Sequence, residues 1–157
     1  MKKLLYFTFI VLFALTSCNT NNKQNDTQTE PQQATKEYTL EGAWEIDSYI
    51  NYRGNGIVDT IKSSNEIKQR KMFSKTKVMW SKLRTWDSLD WFGVGDYTFK
   101  DGILTEKLDY GSKPLNKRLK ISNKWNFNII ISKDKFTQIE VDSLGNYIYA
   151  ENYIRVD

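Results

Sequence analysis

The chain has 157 residues, 39% hydrophobic and 14% aromatic, with 23 basic against 19 acidic side chains and a net charge of +4. It contains no histidine, which removes Ser-His-Asp and Cys-His nucleophile systems, His-ligated haem and every zinc site that needs imidazole. Its one cysteine has no partner within the chain for a disulfide, so the fold must be held by packing.

Lys2 and Lys3 precede an uncharged apolar stretch, Leu4 to Leu15. That stretch has the length of a signal h-region and is too short for ~30 Å of hydrocarbon. It ends at Leu15-Thr16-Ser17-Cys18, which resembles the lipobox of bacterial lipoproteins, where small residues precede a cysteine that is acylated and becomes the mature N-terminus. The resemblance implies a signal peptide over 1–17, cleavage before Cys18, and palmitate-type acylation there. More than one acyl chain makes such anchoring stable, where a single chain binds only marginally. Asn19, standing where Asp would retain a diderm lipoprotein at the inner membrane, implies the outer membrane.

Loss of Lys2 and Lys3 leaves +2 on a mature chain of about 140 residues, a length suited to one domain. That charge is too mild to argue for nucleic acid, and no basic stretch is interleaved with aromatics. Residues 18–37 hold the acylated cysteine and a segment rich in Asn, Gln and Thr, which buries too little to offset its ordering entropy. It is expected to be a flexible linker that keeps the domain within roughly a few nanometres of the lipid. Asp26 and Glu30 are scattered, whereas surface-exported lipoproteins of the Bacteroidetes type carry an acidic cluster behind the cysteine; this favours the periplasmic face.

From residue 38 to 157 the pattern is β. Gly42, Trp44, Ile46, Ser48 and Ile50 alternate on one face of a first strand, with Glu45 and Asp47 opposite. Asn55-Gly56 marks a turn, followed by a short strand over Ile57–Ile61. Glu66–Phe73 and Thr76–Leu83 read as strands joined at Ser74-Lys75, although Ser63–Lys71 also admits a short helix. Arg84–Gly95 reads as a loop. Asp96–Phe99 and Ile103–Tyr110 form a hairpin across Asp101-Gly102, the clearest turn signal in the chain. Leu115–Ile121 reads as another strand. Trp125, Phe127, Ile129 and Ile131 alternate on the next, and Phe136–Val141 with Tyr147–Val156 make a last hairpin across Ser143-Leu144-Gly145-Asn146. Such a meander of about eight to ten short strands closes into an all-β, up-and-down antiparallel barrel or folds over as a sandwich. Closure is favoured because it removes edges.

Leu40-Glu41-Gly42-Ala43-Trp44-Glu45-Ile46 resembles the Gly-x-Trp opening of the lipocalin and wider calycin group, and Tyr153-Ile154-Arg155-Val156 resembles its last strand. The resemblance implies that Gly42, Trp44 and Arg155 close the barrel floor, with the guanidinium stacked on the indole. Met72-Phe73, Val78-Met79-Trp80, Gly95-Asp96-Tyr97-Thr98 and Leu104-Thr105-Glu106 further resemble the lipocalin-like lipoproteins of the Bacteroidetes. Asp96 departs from a Thr in that pattern. The resemblance spans Leu40 to Asp157 and implies a ligand cup at one barrel end.

The inward aromatics Trp80, Tyr97, Phe99, Trp125, Phe127, Tyr147 and Tyr149 are candidates for the cup wall, each also able to fill core. Glu106 and Arg70 either face solvent or need partners inside the barrel. Trp86, Trp91 and Phe92, in the stretch 84–93, either tuck under as a lid or form a contact patch for a protein or glycan. The function expected is a non-enzymatic, membrane-anchored binding protein for a small apolar or amphipathic ligand, without cofactor or metal and with no nucleic-acid partner. The alternative is an envelope interaction or inhibitor protein using the aromatic loop, its protein partner unknown. No two acids sit in a context that would set their pKa values apart as catalysis requires.

Overall fold

The computed structural model describes residues 37–54, 56–87 and 89–157. The signal peptide, the acylation expected at Cys18 and nearly all of the linker lie outside the described residues, as does Asn55 of the Asn55-Gly56 turn.

Among the described residues nine strands and one short helix follow in order: β1 Gly42–Arg53, β2 Gly56–Lys62, β3 Ile67–Phe73, β4 Lys77–Arg84, β5 Trp91–Lys100, β6 Ile103–Gly111, α1 Lys113–Leu119, β7 Lys124–Ile131, β8 Lys135–Val141 and β9 Tyr147–Arg155. Every pairing is antiparallel. From β3 to β9 each strand pairs with its successor, and β1 joins β3 to β9, which closes an eight-stranded barrel. The ninth strand, β2, pairs with β1 beyond the point where β1 leaves β3. A sandwich is excluded by the β1–β9 closure. The hairpin turn at Asp101-Gly102 has φ of 52° and 75°, the doubly positive geometry that matches strand twist.

Three sequence expectations are corrected. In β1 the alternation holds only as far as Ile46: the β9 register skips Asp47, so Tyr49, not Ile50, turns into the barrel opposite Glu151. A bulge inserts one residue and flips the faces beyond it. Arg84–Gly95 is not all loop, because β5 begins at Trp91, paired with Lys82, and Trp91, Gly93 and Gly95 alternate inward. Leu115–Ile121 is not a strand but most of α1. Pro114 sits in the first turn, where its missing N–H is not needed, and Lys117 with Arg118 suit the C-terminal end of the dipole. The segment 63–71 resolves as turn and strand, with β3 starting at Ile67.

The core fills one half of the barrel. Trp44, Phe73, Val78, Leu104, Phe136 and Tyr153 are buried there with Leu40 and Ile46. Trp44 meets Phe136 edge-on at 4.8 Å, and Phe136 stacks on Tyr153 at 4.6 Å. Arg155 lies 4.0 Å over the Trp44 ring and seals this end. Its guanidinium donates to the carbonyls of Lys133, Glu41 and Thr39, while Trp44 Nε1 donates to the Leu40 carbonyl at 2.7 Å. Gly42, with φ of 124°, lies so close to Arg155 that a Cβ would collide with the guanidinium.

Candidate functional site

Alternation along β3 sends Ile67, Gln69, Lys71 and Phe73 inward and Lys68, Arg70 and Met72 outward. Lys71 is thereby placed between Trp44 on β1 and Trp80 on β4, at 2% exposure. A buried ammonium is tolerable only with partners. Its Nζ donates to Glu106 at 2.6 Å and to Gln138 Oε1 at 2.7 Å. Gln138 Nε2 reaches Glu151 at 3.4 Å; Glu151 accepts from the Tyr153 hydroxyl at 2.6 Å and from Gln69 Nε2 at 3.3 Å. The Tyr49 hydroxyl completes the layer by donating to Gln69 Oε1 at 2.9 Å. A sheet of polar side chains thus crosses the barrel directly above the apolar floor.

Above that layer the barrel is open. A cavity of about 390 Å³ rises from Lys71, Glu106 and Gln138 to the rim, walled by Trp80, Trp91, Trp125, Phe127 and Tyr149. The glycines of β5 and β6 make this room. Gly93 faces Gly111 across the ladder, and a Cβ on either would strike Leu115, which α1 lowers against them.

The rim is charged. Lys82 lies 3.7 Å from Glu151 and 4.3 Å from the Tyr49 ring centre, and burial lowers its pKa. Arg84 is paired with Asp87. The guanidiniums of Arg84 and Arg118 lie 5.0 and 5.1 Å from the Trp91 ring. On the opposite wall stand Glu140, Tyr149 and Glu151. Burial, with Glu151 adding its charge, holds the hydroxyls of Tyr49, Tyr149 and Tyr153 protonated well beyond the ordinary tyrosine range.

Of the residues singled out from sequence, Trp80, Glu106, Trp125, Phe127 and Tyr149 line this cavity. Tyr97, Phe99 and Tyr147 do not. Tyr97 packs on Phe73 at 4.8 Å and donates to the Ser74 carbonyl, so it wedges the floor end. Phe99 packs against the core on the same strand, and Tyr147 stands at the barrel's edge against Tyr52. Trp91 belongs to the cavity wall, not to a contact loop. Trp86 is 60% exposed, and Phe92 points out of the barrel. Arg70 also faces out, paired with Glu45 at 3.2 Å. Among the described residues no group of three acidic, cysteine or histidine side chains could hold a metal ion.

No family model and no curated protein matches the chain. Among solved structures, the crystal structure of a lipocalin-like protein from Bacteroides uniformis ATCC 8492 is similar, with a TM-score of 0.51 over 74% of this chain and 98% of that one. The fold is lipocalin-like. At 15% identity the similarity concerns architecture alone, so the contents of the barrel must be read from its own side chains.

Read that way, the lipocalin-like cup contains residues the sequence analysis missed: Gln69, Lys71, Lys82, Arg84, Arg118, Gln138 and Glu151. A signal for two of them was present. Counting back by twos from Phe73 puts Lys71 and Gln69 on its face, whereas Arg70 shares a face with exposed Met72. The hidden signal for Glu151 was the bulge, which brings Tyr49 round to face it.

Proposed function

We propose that this protein is a lipid-anchored, non-enzymatic binding protein that receives a small amphipathic ligand in the open end of its barrel. The observation that carries the reading is the aromatic-walled cavity standing on a charged, hydrogen-bonded floor. Desolvating Lys71 and Glu106 costs several kcal/mol per ion, and a well-packed apolar pair would serve stability as well or better. Retaining them beneath a cavity suits an occupant with polar groups of its own. Glu106 and Glu151 share the floor, but the first is held by Lys71 and the second by Tyr153, Gln69 and Gln138, which supports binding over acid–base chemistry.

The anchor rests on the lipobox resemblance at Cys18, and placement at the outer membrane, facing the periplasm, rests on Asn19 and the unclustered acids. Fatty-acid labelling of cells expressing the chain should mark the protein and be abolished by Cys18→Ser, with the protein moving to the soluble fraction. For the ligand, the acylated protein is incubated with lipid extract from its own envelope, repurified and examined by native mass spectrometry. A bound small molecule at one per barrel is expected; an unliganded barrel that also excludes amphiphilic probes would sink the binding reading.

A second reading is favoured by one observation: Trp86 and Leu89 are 60% and 49% exposed on the segment joining β4 to β5. They form a contact point for an envelope protein or glycan. Trp86→Ala would abolish such a contact and leave cup occupancy intact.

A further inference from the structure

We infer that the cup selects an amphiphile whose head group is an oxyanion, seated at the rim between Arg84 and Arg118 beside Trp91. The inference rests on the cup reading above and specifies the chemistry of its occupant. Charge at the rim is divided by wall. Lys82, Arg84 and Arg118 stand on the β4 and α1 side, and Glu140 and Glu151 on the β8 and β9 side. Glu151 is already engaged by Lys82, Tyr153, Gln69 and Gln138. The cationic wall is less well matched. Its two guanidiniums crowd one indole, at 5.0 and 5.1 Å, and only Arg84 has a carboxylate, Asp87. Among the described residues Arg118 has no acidic partner.

A second observation points the same way. Arg84 Nε and Trp91 Nε1 are buried and have no acceptor among the described residues. Buried donors without partners are rare and destabilising, and two in one cluster, beneath two like charges, define a place where an acceptor belongs. A carboxylate, sulfate or phosphate oxygen satisfies both deficits, because guanidinium groups bind such oxygens through paired, charge-assisted hydrogen bonds. Arg118 is exposed on a short helix and stacked on the ring, so its side chain can swing to admit the head group. The alkyl portion then lies downward along Leu108, Leu115, Trp125 and Phe127.

The test uses dodecanoate, dodecyl phosphate, dodecanol and dodecyltrimethylammonium, each below its micellar concentration, titrated into the protein. Binding is followed by tryptophan fluorescence, since three of the five tryptophans line the cup, and by calorimetry. Both anions are expected to bind about tenfold or more tightly than dodecanol, by a margin that shrinks with salt. A preference shared by both anions, or confined to one, supports the oxyanion site, and the stronger of the two names its source. Arg118→Gln and the Arg84→Gln/Arg118→Gln pair should bring anion affinity down towards that of dodecanol. Lys77→Gln, the same change of charge on the outer face of β4, should not. Thermal melting of each variant separates lost recognition from lost folding. Dodecanol binding without an anion preference, or a preference for the trimethylammonium, overturns the head-group inference and leaves the cup standing. Failure of all four probes to bind overturns both.

Discussion

The two ends of the barrel are built from the same pair of residue types and come to opposite conditions. At the floor, Arg155 covers Trp44, and both Nε of the arginine and Nε1 of the indole find carbonyl acceptors. At the rim, Arg84 and Arg118 flank Trp91, and the corresponding nitrogens of Arg84 and Trp91 find none. The first arrangement is complete in itself. The second is short of an acceptor among the described residues, which is what the proposed head-group site requires and a finished plug does not.

The largest effect that separates the ends is on folding. Trp44→Ala removes a wholly buried ring and should cost about 3–5 kcal/mol in urea unfolding. Trp91→Ala removes a partly exposed ring together with an orphaned donor and should cost less than about 2 kcal/mol, while weakening ligand binding. Equal losses would erase the distinction. Between the ends, Lys71→Met strands the Glu106 carboxylate and should cost about 3–5 kcal/mol, most of it recovered in Lys71→Met/Glu106→Leu. In calorimetry the double variant should bind guests that carry a second polar group at the floor more weakly, and should lose no affinity for a plain alkyl amphiphile held at the rim.

A smaller effect is read from pH. Tyr49, Tyr149 and Tyr153 hold their protons above the ordinary value of 10.0, so the unfolded chain releases those protons first. Their contribution is full below pH 10 and is lost as pH rises further. Lys82, with its pKa lowered by burial, works in the opposite sense up to its ordinary value of 10.5. The alkaline fall should therefore be steeper in Lys82→Met and flatter in Tyr149→Phe, measured as urea midpoints against pH. The smallest effect belongs to neither end. Lys62→Ala breaks an exposed pair with Asp47 and should cost less than about 1 kcal/mol, vanishing at high salt.

The architecture was more legible in the sequence than the site was. Hairpins announce themselves locally, as at Asp101-Gly102, and alternation such as Trp125–Ile131 needs no knowledge of the partner strand. A bulge is a property of two strands together, so nothing around Asp47 betrays that β9 will skip it, and Ile50 was assigned to the inner face that Tyr49 takes. The seven residues of α1 are too few to display a helical period, and Leu115 consequently passed for strand. The cup suffered most because its decisive members are charged. Lys71, Arg84 and Glu151 look like solvent-facing residues until closure of the barrel decides which way each strand faces.

One feature of the wall bears on how such a cup changes over time. At Gly111 a single added methyl group would collide with the backbone of β5 as well as with Leu115, and at Gly93 it would press on the side chains of Leu115 and Trp80. The β5–β6 side is therefore a fixed template, and any drift in the size or shape of the guest must be absorbed by Trp80, Trp125, Phe127 and Tyr149. Descendants of this chain that acquire new guests should differ across those aromatics while the paired glycines and the leucine seated on them stay as they are.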